Sequence, residues 1–130
     1  MVNSLLIGKA ISATLDSSQG LKELVGSKIF PIIADNDTSF PFVVYKRTSL
    51  NSINLTKDGC TEDSVSYEFT IVSTKYNESV DIANEIRKVM ERPKIVHPLM
   101  TLYNNRLIQS TEEYSDNCFI QKLIFQSNIN

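Results

Sequence analysis

The chain has one histidine, His97, set in KIVHPLM among apolar residues and just before a proline. Histidine is the usual carrier of acid–base and metal chemistry because its charge changes near neutral pH. A zinc site needs a set of ligands at motif spacing, and Cys60, His97 and Cys118 are scattered without one. A cysteine nucleophile needs an activating base, and only His97 is on offer. No serine lies in a G-x-S-x-G elbow. Gly8, Gly20, Gly26 and Gly59 never cluster, so no loop cradles a phosphate. Carboxylate pairs occur at Asp35/Asp37, Glu62/Asp63 and Glu112/Glu113. Each falls in or beside a predicted loop, where solvated surface is the expected role. The residue types therefore point to no catalytic site, no cofactor and no metal.

Composition narrows the class further. The 130 residues suggest one domain, 1–130, long enough to bury a core without a metal or disulfide staple. Net charge is -2, from 13 basic and 15 acidic side chains, which lacks the basic excess of most nucleic-acid binders. Lys46 and Arg47 close a predicted strand and point to opposite faces, so they form no single patch. Two cysteines are too few for a disulfide framework, so they read as reduced thiols in a cytoplasmic protein. Lys9 interrupts the apolar start MVNSLLIGKAISATL, which makes a poor signal peptide. No run is long enough for a membrane span.

The elements that must position these residues follow from periodicity. Val2, Leu5, Leu6, Ala10, Ile11 and Leu15 recur at helical spacing over residues 2–15. Asp16, Ser17, Ser18 and Gly20 break that helix, Leu21, Leu24 and Val25 add a turn or two, and Gly26 stops it. Strands are expected over Lys28–Ile33 and Phe40–Ser49, joined by the polar loop ADNDTS. Proline cannot donate to a ladder, so Pro41 should open its strand and Pro31 should mark an edge or a bulge. Residues 51–61, NSINLTKDGCT, read as an extended hairpin tip or a mobile loop, with Asp58-Gly59 as a turn signal. In SVSYEFTIV, Val65, Tyr67, Phe69 and Ile71 alternate with polar residues, so one face is buried and one wet.

A second helix is expected near residues 77–92, capped by Asn77, with Ile82, Ala83, Ile86, Val89 and Met90 as its apolar stripe and Pro93 as its stop. Residues 94–104 are ambiguous. A final hairpin joins Arg106–Tyr114 to Cys118–Ser127 through a Ser-Asp-Asn turn. The fold class is α+β, an antiparallel sheet of about five strands packed by an N-terminal helix and the second helix. Ile120 and Ile124 lie opposite Phe119, Leu123 and Phe125, so both sheet faces carry apolar residues and a partner subunit is expected to cover part of one.

The order of these signals resembles the bacteriophage tail-completion family, the tail terminator or tail-to-head joining proteins of long-tailed phages. The likeness is carried by LKELVGSKIFPIIADNDTSFPFVVYKR, where Leu24–Gly26, Ile29–Pro31 and Pro41–Tyr45 follow the family's pattern. It continues in SVSYEFTIVSTKYNESVDIANEIRKVM, with Ala83 and Arg87 in the helix, and in the closing strand NCFIQKLIFQS. Residues 94–105 depart from it. The resemblance implies a non-catalytic subunit of a homo-oligomeric ring, usually a hexamer, at the head-proximal end of a virion tail, assembled in the host cytoplasm. Its partners would be its own copies, the tail tube protein and the head–tail connector protein. DNA would pass through the lumen without specific binding, and no membrane is involved. A prophage copy would look the same. Protein-interface candidates are Asp35 and Asp37 in the first loop and Leu55, Lys57 and Asp58 in the second. The alternative is a small intracellular binding or adaptor domain without catalysis.

Overall fold

The computed structural model describes residues 3–56 and 59–129, with the side chains of residues 54–61 outside that description. A 3-10 turn at Ser4–Leu6 runs into α1 (Ile7–Asp16), then α2 (Gln19–Val25), β1 (Ile29–Pro31), β2 (Phe42–Thr56), β3 (Gly59–Ser73), α3 (Tyr76–Met90), β4 (Lys94–His97), β5 (Met100–Ser115) and β6 (Cys118–Ile129). The strands form one six-stranded sheet in the order β1-β2-β3-β6-β5-β4. β1 runs parallel to β2, and the other neighbours are antiparallel. The fold is mixed α+β as expected, with two corrections to the sheet. It has a strand more than expected, because β4 lies in the stretch left ambiguous and is too short to show alternation. It also has one parallel edge.

The helices lie on one face. α1 buries Ile7, Ala10, Ile11, Thr14 and Leu15, the spacing of a single helical stripe. Ser18 caps α2 by accepting from Leu21 N at 3.2 Å, and Gly26, at φ 63°, stops it. Gly20 lies inside α2, so the break before it rests on Ser17 and Ser18. Asn77 does not cap α3. The helix begins one residue earlier, and Ser73 Oγ holds its start by accepting from Lys75 N at 3.0 Å and donating to Glu78 at 2.7 Å.

The core forms where this helical layer meets β3 and β6. Val65, Tyr67, Phe69 and Ile71 are fully buried, as their alternation requires. Phe125 stacks on Tyr67 with ring centroids 5.9 Å apart and meets Phe69 edge-on at 5.6 Å. The Tyr67 hydroxyl shares a 2.7 Å hydrogen bond with Ser127 Oγ, and Ser127 donates in turn to Asn105 Oδ1. Burial pushes the Tyr67 hydroxyl up to about 12, against smaller lowering effects from Ser127 and Arg106. Asn105 also donates to Arg92 O at 2.8 Å, which ties the chain after α3 to the bulged start of β5.

The opposite face of the sheet carries no helix. Val44, Val72, Ile120 and Ile124 are half-buried there, interspersed with Glu68, Thr70, Lys122 and Gln126. Apolar residues were expected on both faces, and the second face carries them mixed with polar and charged ones. One carboxylate pair also differs from expectation. Glu62/Asp63 lie within β3, with Asp63 buried, because that hairpin runs further than the apolar residues alone suggest, while Glu112/Glu113 lie in the expected strand beside its turn, where Glu112 accepts hydrogen bonds from Tyr76 and Gln121.

Candidate assembly surfaces

No described side chain forms a nucleophile–base pair with His97. That imidazole accepts from Leu99 N through Nδ1 at 3.1 Å, which braces the tight turn between β4 and β5. Cys118 is a buried free thiol. Among the described residues no group of His, Cys, Asp and Glu side chains is placed to hold a metal ion, and no helix is long and apolar enough to cross a membrane.

What the fold does place at the surface is apolar area along both margins of the sheet. α1, α2 and α3 cover the middle strands and leave a groove on each side. The first groove, about 580 Å³, lies between α1 and the β1–β2 edge and is lined by Leu5, Leu6, Gly8, Pro31 and Tyr45, with Lys9 and Asp16 at its rim. The second, about 250 Å³, lies between α3 and β5. Its helix wall is Tyr76, Val80, Ala83, Asn84 and Arg87, all but Asn84 on a stripe at four-three-four spacing beside the buried one. Its strand wall includes Leu107 and Ser110.

Polar clamps shape that second groove. Glu112 accepts from the Tyr76 hydroxyl and from Gln121 Nε2, both at 3.0 Å. The hydrogen bond to Glu112, and then its charge, raise the Tyr76 pKa. Glu91 accepts from Leu107 N at 3.0 Å and from Arg87 at 3.2 and 3.3 Å. The Leu107 amide, helped by Arg87 and opposed by slight burial, holds the Glu91 carboxyl below its usual range.

Beyond β1 the chain leaves the sheet abruptly. Strand was expected to Ile33, yet Ile32 takes φ 66° while its amide donates to Tyr45 O at 2.8 Å. That geometry turns Ile32 and Ile33 outward, 73% and 77% exposed. A β-branched residue at positive φ is rare and strained. Pro31 is the last residue of the edge strand and Pro41 immediately precedes β2, as proline's missing N–H requires.

The predicted interface residues fare unevenly. Asp35 and Asp37 are exposed on the loop between β1 and β2, where Thr38 N donates to Asp35 O at 3.0 Å and Lys28 Nζ reaches Ser39 Oγ at 3.3 Å. Leu55 lies in β2 with its backbone opposite Cys60. Lys57 and Asp58, and with Asp58 half of the expected turn signal, lie outside the described residues. On both sides of those two residues the segment continues the hairpin, as the reading of an extended hairpin tip expected, with pairing out to Thr56 and Gly59. β6 pairs with β3 no further than Asp63, so this arm projects past the third strand. Sequence reasoning missed Ile32 and Ile33. The signal was present, since two isoleucines follow Pro31 and lead into an otherwise polar loop.

No family model matches the chain, and no curated protein matches it significantly. Among solved structures it is similar to a chain in the virion of a native gene transfer agent (GTA) particle. The two are 11% identical, with a TM-score of 0.75, and the match covers 93% of this chain and 92% of that one. At that identity the likeness is one of fold, and it spans nearly the full length of both chains.

Proposed function

We propose that this chain is a structural subunit of a phage-like particle, a tail terminator that closes into a ring at the head-proximal end of the tail and joins it to the head connector. The observation that carries the reading is the fold likeness to a virion chain over almost its whole length. It agrees with the order of sequence signals that resembles the tail-completion family. On this reading the chain catalyses nothing and works through its surfaces. Its partners are further copies of itself, closing into a ring of about six, together with the tail tube protein and the connector.

The helix-free sheet face suits a lumen. Lys46, Glu68, Lys122 and Glu113 alternate in sign across neighbouring strands, and Lys122 pairs with Glu113 at 3.4 Å. A balanced surface of this kind has no excess positive charge to retain passing DNA phosphates. A monomeric adaptor would leave the apolar grooves at both margins uncovered, which a closed ring need not do.

Light scattering behind size exclusion, with and without purified tail tubes, tests the proposal. The expected particle is about six times the 14.7 kDa chain, or about 88 kDa, in solution or on the tube end. A monomer at every concentration that also ignores tubes overturns it.

A further inference from the structure

The two edges of the sheet differ in what their backbone offers. On the β1 side, Val43 N donates to Lys28 O at 3.0 Å and Ile32 N to Tyr45 O at 2.8 Å, so Ile29, Pro31 and Ile33 alternate outward. None of the three has a free donor. Ile29 N donates to Ser27 O at 2.9 Å, Pro31 has no N–H, and Ile33 N closes on Pro31 O at 2.7 Å. On the β5 side, the turn to β6 holds two residues, Asp116 and Asn117, at φ 52° and 64°, the hairpin geometry in which Ser115 and Cys118 exchange hydrogen bonds. Counting back from there, Glu113 and Thr111 bond inward to β6, and Tyr114, Glu112 and Ser110 turn both N–H and C=O outward. β4 pairs with β5 only at Met100–Tyr103, and Glu91 takes the Leu107 amide. Ser110–Tyr114 is therefore an open edge among the described residues, where the β1 edge is sealed.

We propose that the β5 edge over Ser110–Tyr114 accepts an extended, cation-bearing segment of the head connector as a further strand of the sheet, an assignment of the partner that rests on the tail-terminator reading above. Backbone donors and acceptors at strand spacing are matched in full by another strand, which makes the occupant an extended polypeptide. Its side chains on the helix side enter the α3–β5 groove, apolar at Val80, Ala83 and Leu107 and polar at Glu112 and Gln121. Charge narrows the partner. Glu112 and Glu113 are both exposed, and Glu112 takes its two hydrogen bonds through Oε2, leaving Oε1 without a partner among the described residues. A lysine or arginine on the incoming strand complements them. A second copy does not. The symmetric antiparallel register that uses Ser110, Glu112 and Tyr114 of both copies sets Glu112 against Glu112, and a second copy's β1 edge has no free donor to offer. Position then selects the connector. Ser110–Tyr114 pairs through Leu123–Phe119 with Phe69–Ser73, the end of β3 away from the arm tip at Gly59. An arm that meets the tube leaves this end to the head side.

Amide hydrogen exchange followed by NMR tests the edge, first in the free chain. The Ser110, Glu112 and Tyr114 amides should exchange about tenfold or more faster than those of Thr111 and Glu113, and should not slow as protein concentration rises. Slowing with concentration gives the edge to a second copy and overturns the proposal. Purified head connector should slow those three amides, and purified tail tubes should not. A connector that binds and leaves them unchanged overturns the strand addition while leaving the ring reading intact, and protection by tubes alone overturns the assignment to the connector. A chain that stays monomeric and binds neither overturns both readings.

Two variants separate backbone from charge. Ser110→Pro removes an outward N–H and keeps the β5–β6 ladder, as Pro31 does for β1, so connector binding should weaken about tenfold or more while solution mass and tube binding hold. Glu112→Lys keeps every amide and reverses the charge. It should also weaken connector binding about tenfold or more, and it decides the matter if the proline variant fails to fold. Wild-type connector affinity in the folded variants overturns the proposal, and loss of ring mass in either gives the edge to the ring contact and overturns it as well.

Discussion

At the centre of the sheet, Tyr67, Phe69 and Phe125 pack ring against ring and expose no surface. At its margins, Ile32 and Ile33 stand in solvent, and Tyr76 and Val80 line an open groove. The same kinds of side chain meet different fates because the helical layer is narrower than the sheet. Three helices cover the middle strands and the buried start of β5 at Met100 and Leu102, and leave β1 and the later part of β5 open. The centre is completed by its own chain. The margins are apolar without being covered, so their composition makes physical sense in an assembly more than in isolation.

The largest expected effect breaks the centre. Phe125→Ala removes a ring that touches both Tyr67 and Phe69 and leaves a cavity beneath α3, costing about 3–5 kcal/mol. That is a large part of the stability of an ordinary domain, roughly 5–15 kcal/mol. Urea unfolding reads it directly. The comparison sharpens if Val80→Ser, at the margin, moves the same midpoint by less than about 0.5 kcal/mol. A marginal substitution that costs as much as the central one would mean that the groove belongs to the core.

The projecting arm is the next test, because it belongs to neither region. Ile53 lies opposite Glu62, so replacing residues 54–61 by a two-residue Asn-Gly turn shortens the hairpin without changing its register. The expected outcome is an unchanged circular dichroism spectrum and solution mass, with binding to purified tail tubes lost. Binding that survives assigns the tube contact elsewhere, and a changed mass assigns the arm to the ring contact.

The centre was legible in the sequence, and the margins were not. Alternation in β3 is a local pattern written by one buried face, so Val65 to Ile71 announce themselves. β4 is too short to alternate. The parallel pairing of β1 with β2 leaves no local trace, since its partner is set by a crossover loop rather than a tight turn. Asn105 and Ser127 read as surface residues by type, yet both are buried in a hydrogen-bonded chain with Tyr67. Asp35 and Asp37 were correctly placed on an exposed loop. The neighbouring isoleucines were read as strand because nothing in a β-branched residue signals positive φ.

The smallest effect concerns what holds the β5 margin in place. Glu91 takes the outward amide of Leu107, on a strand that has no outer neighbour there among the described residues. Because that amide and Arg87 favour the charged carboxylate, the folded pKa lies below the ordinary 4.5. The unfolded chain therefore binds the proton more readily, and stability rises with pH through that window. The contribution is complete above about pH 4.5 and disappears as pH falls through the folded value. Glu91→Gln keeps an acceptor for Leu107 but removes the charge, so it should lower stability near neutral pH by a few tenths of a kcal/mol, about what an exposed, screened pair supplies. The gap between variant and wild type should close once pH falls below the folded pKa, where both side chains are neutral. Urea midpoints across that range decide it. A gap that stays open in acid would show that the carboxylate acts through shape rather than charge, and that the groove wall is built by packing, as the centre is.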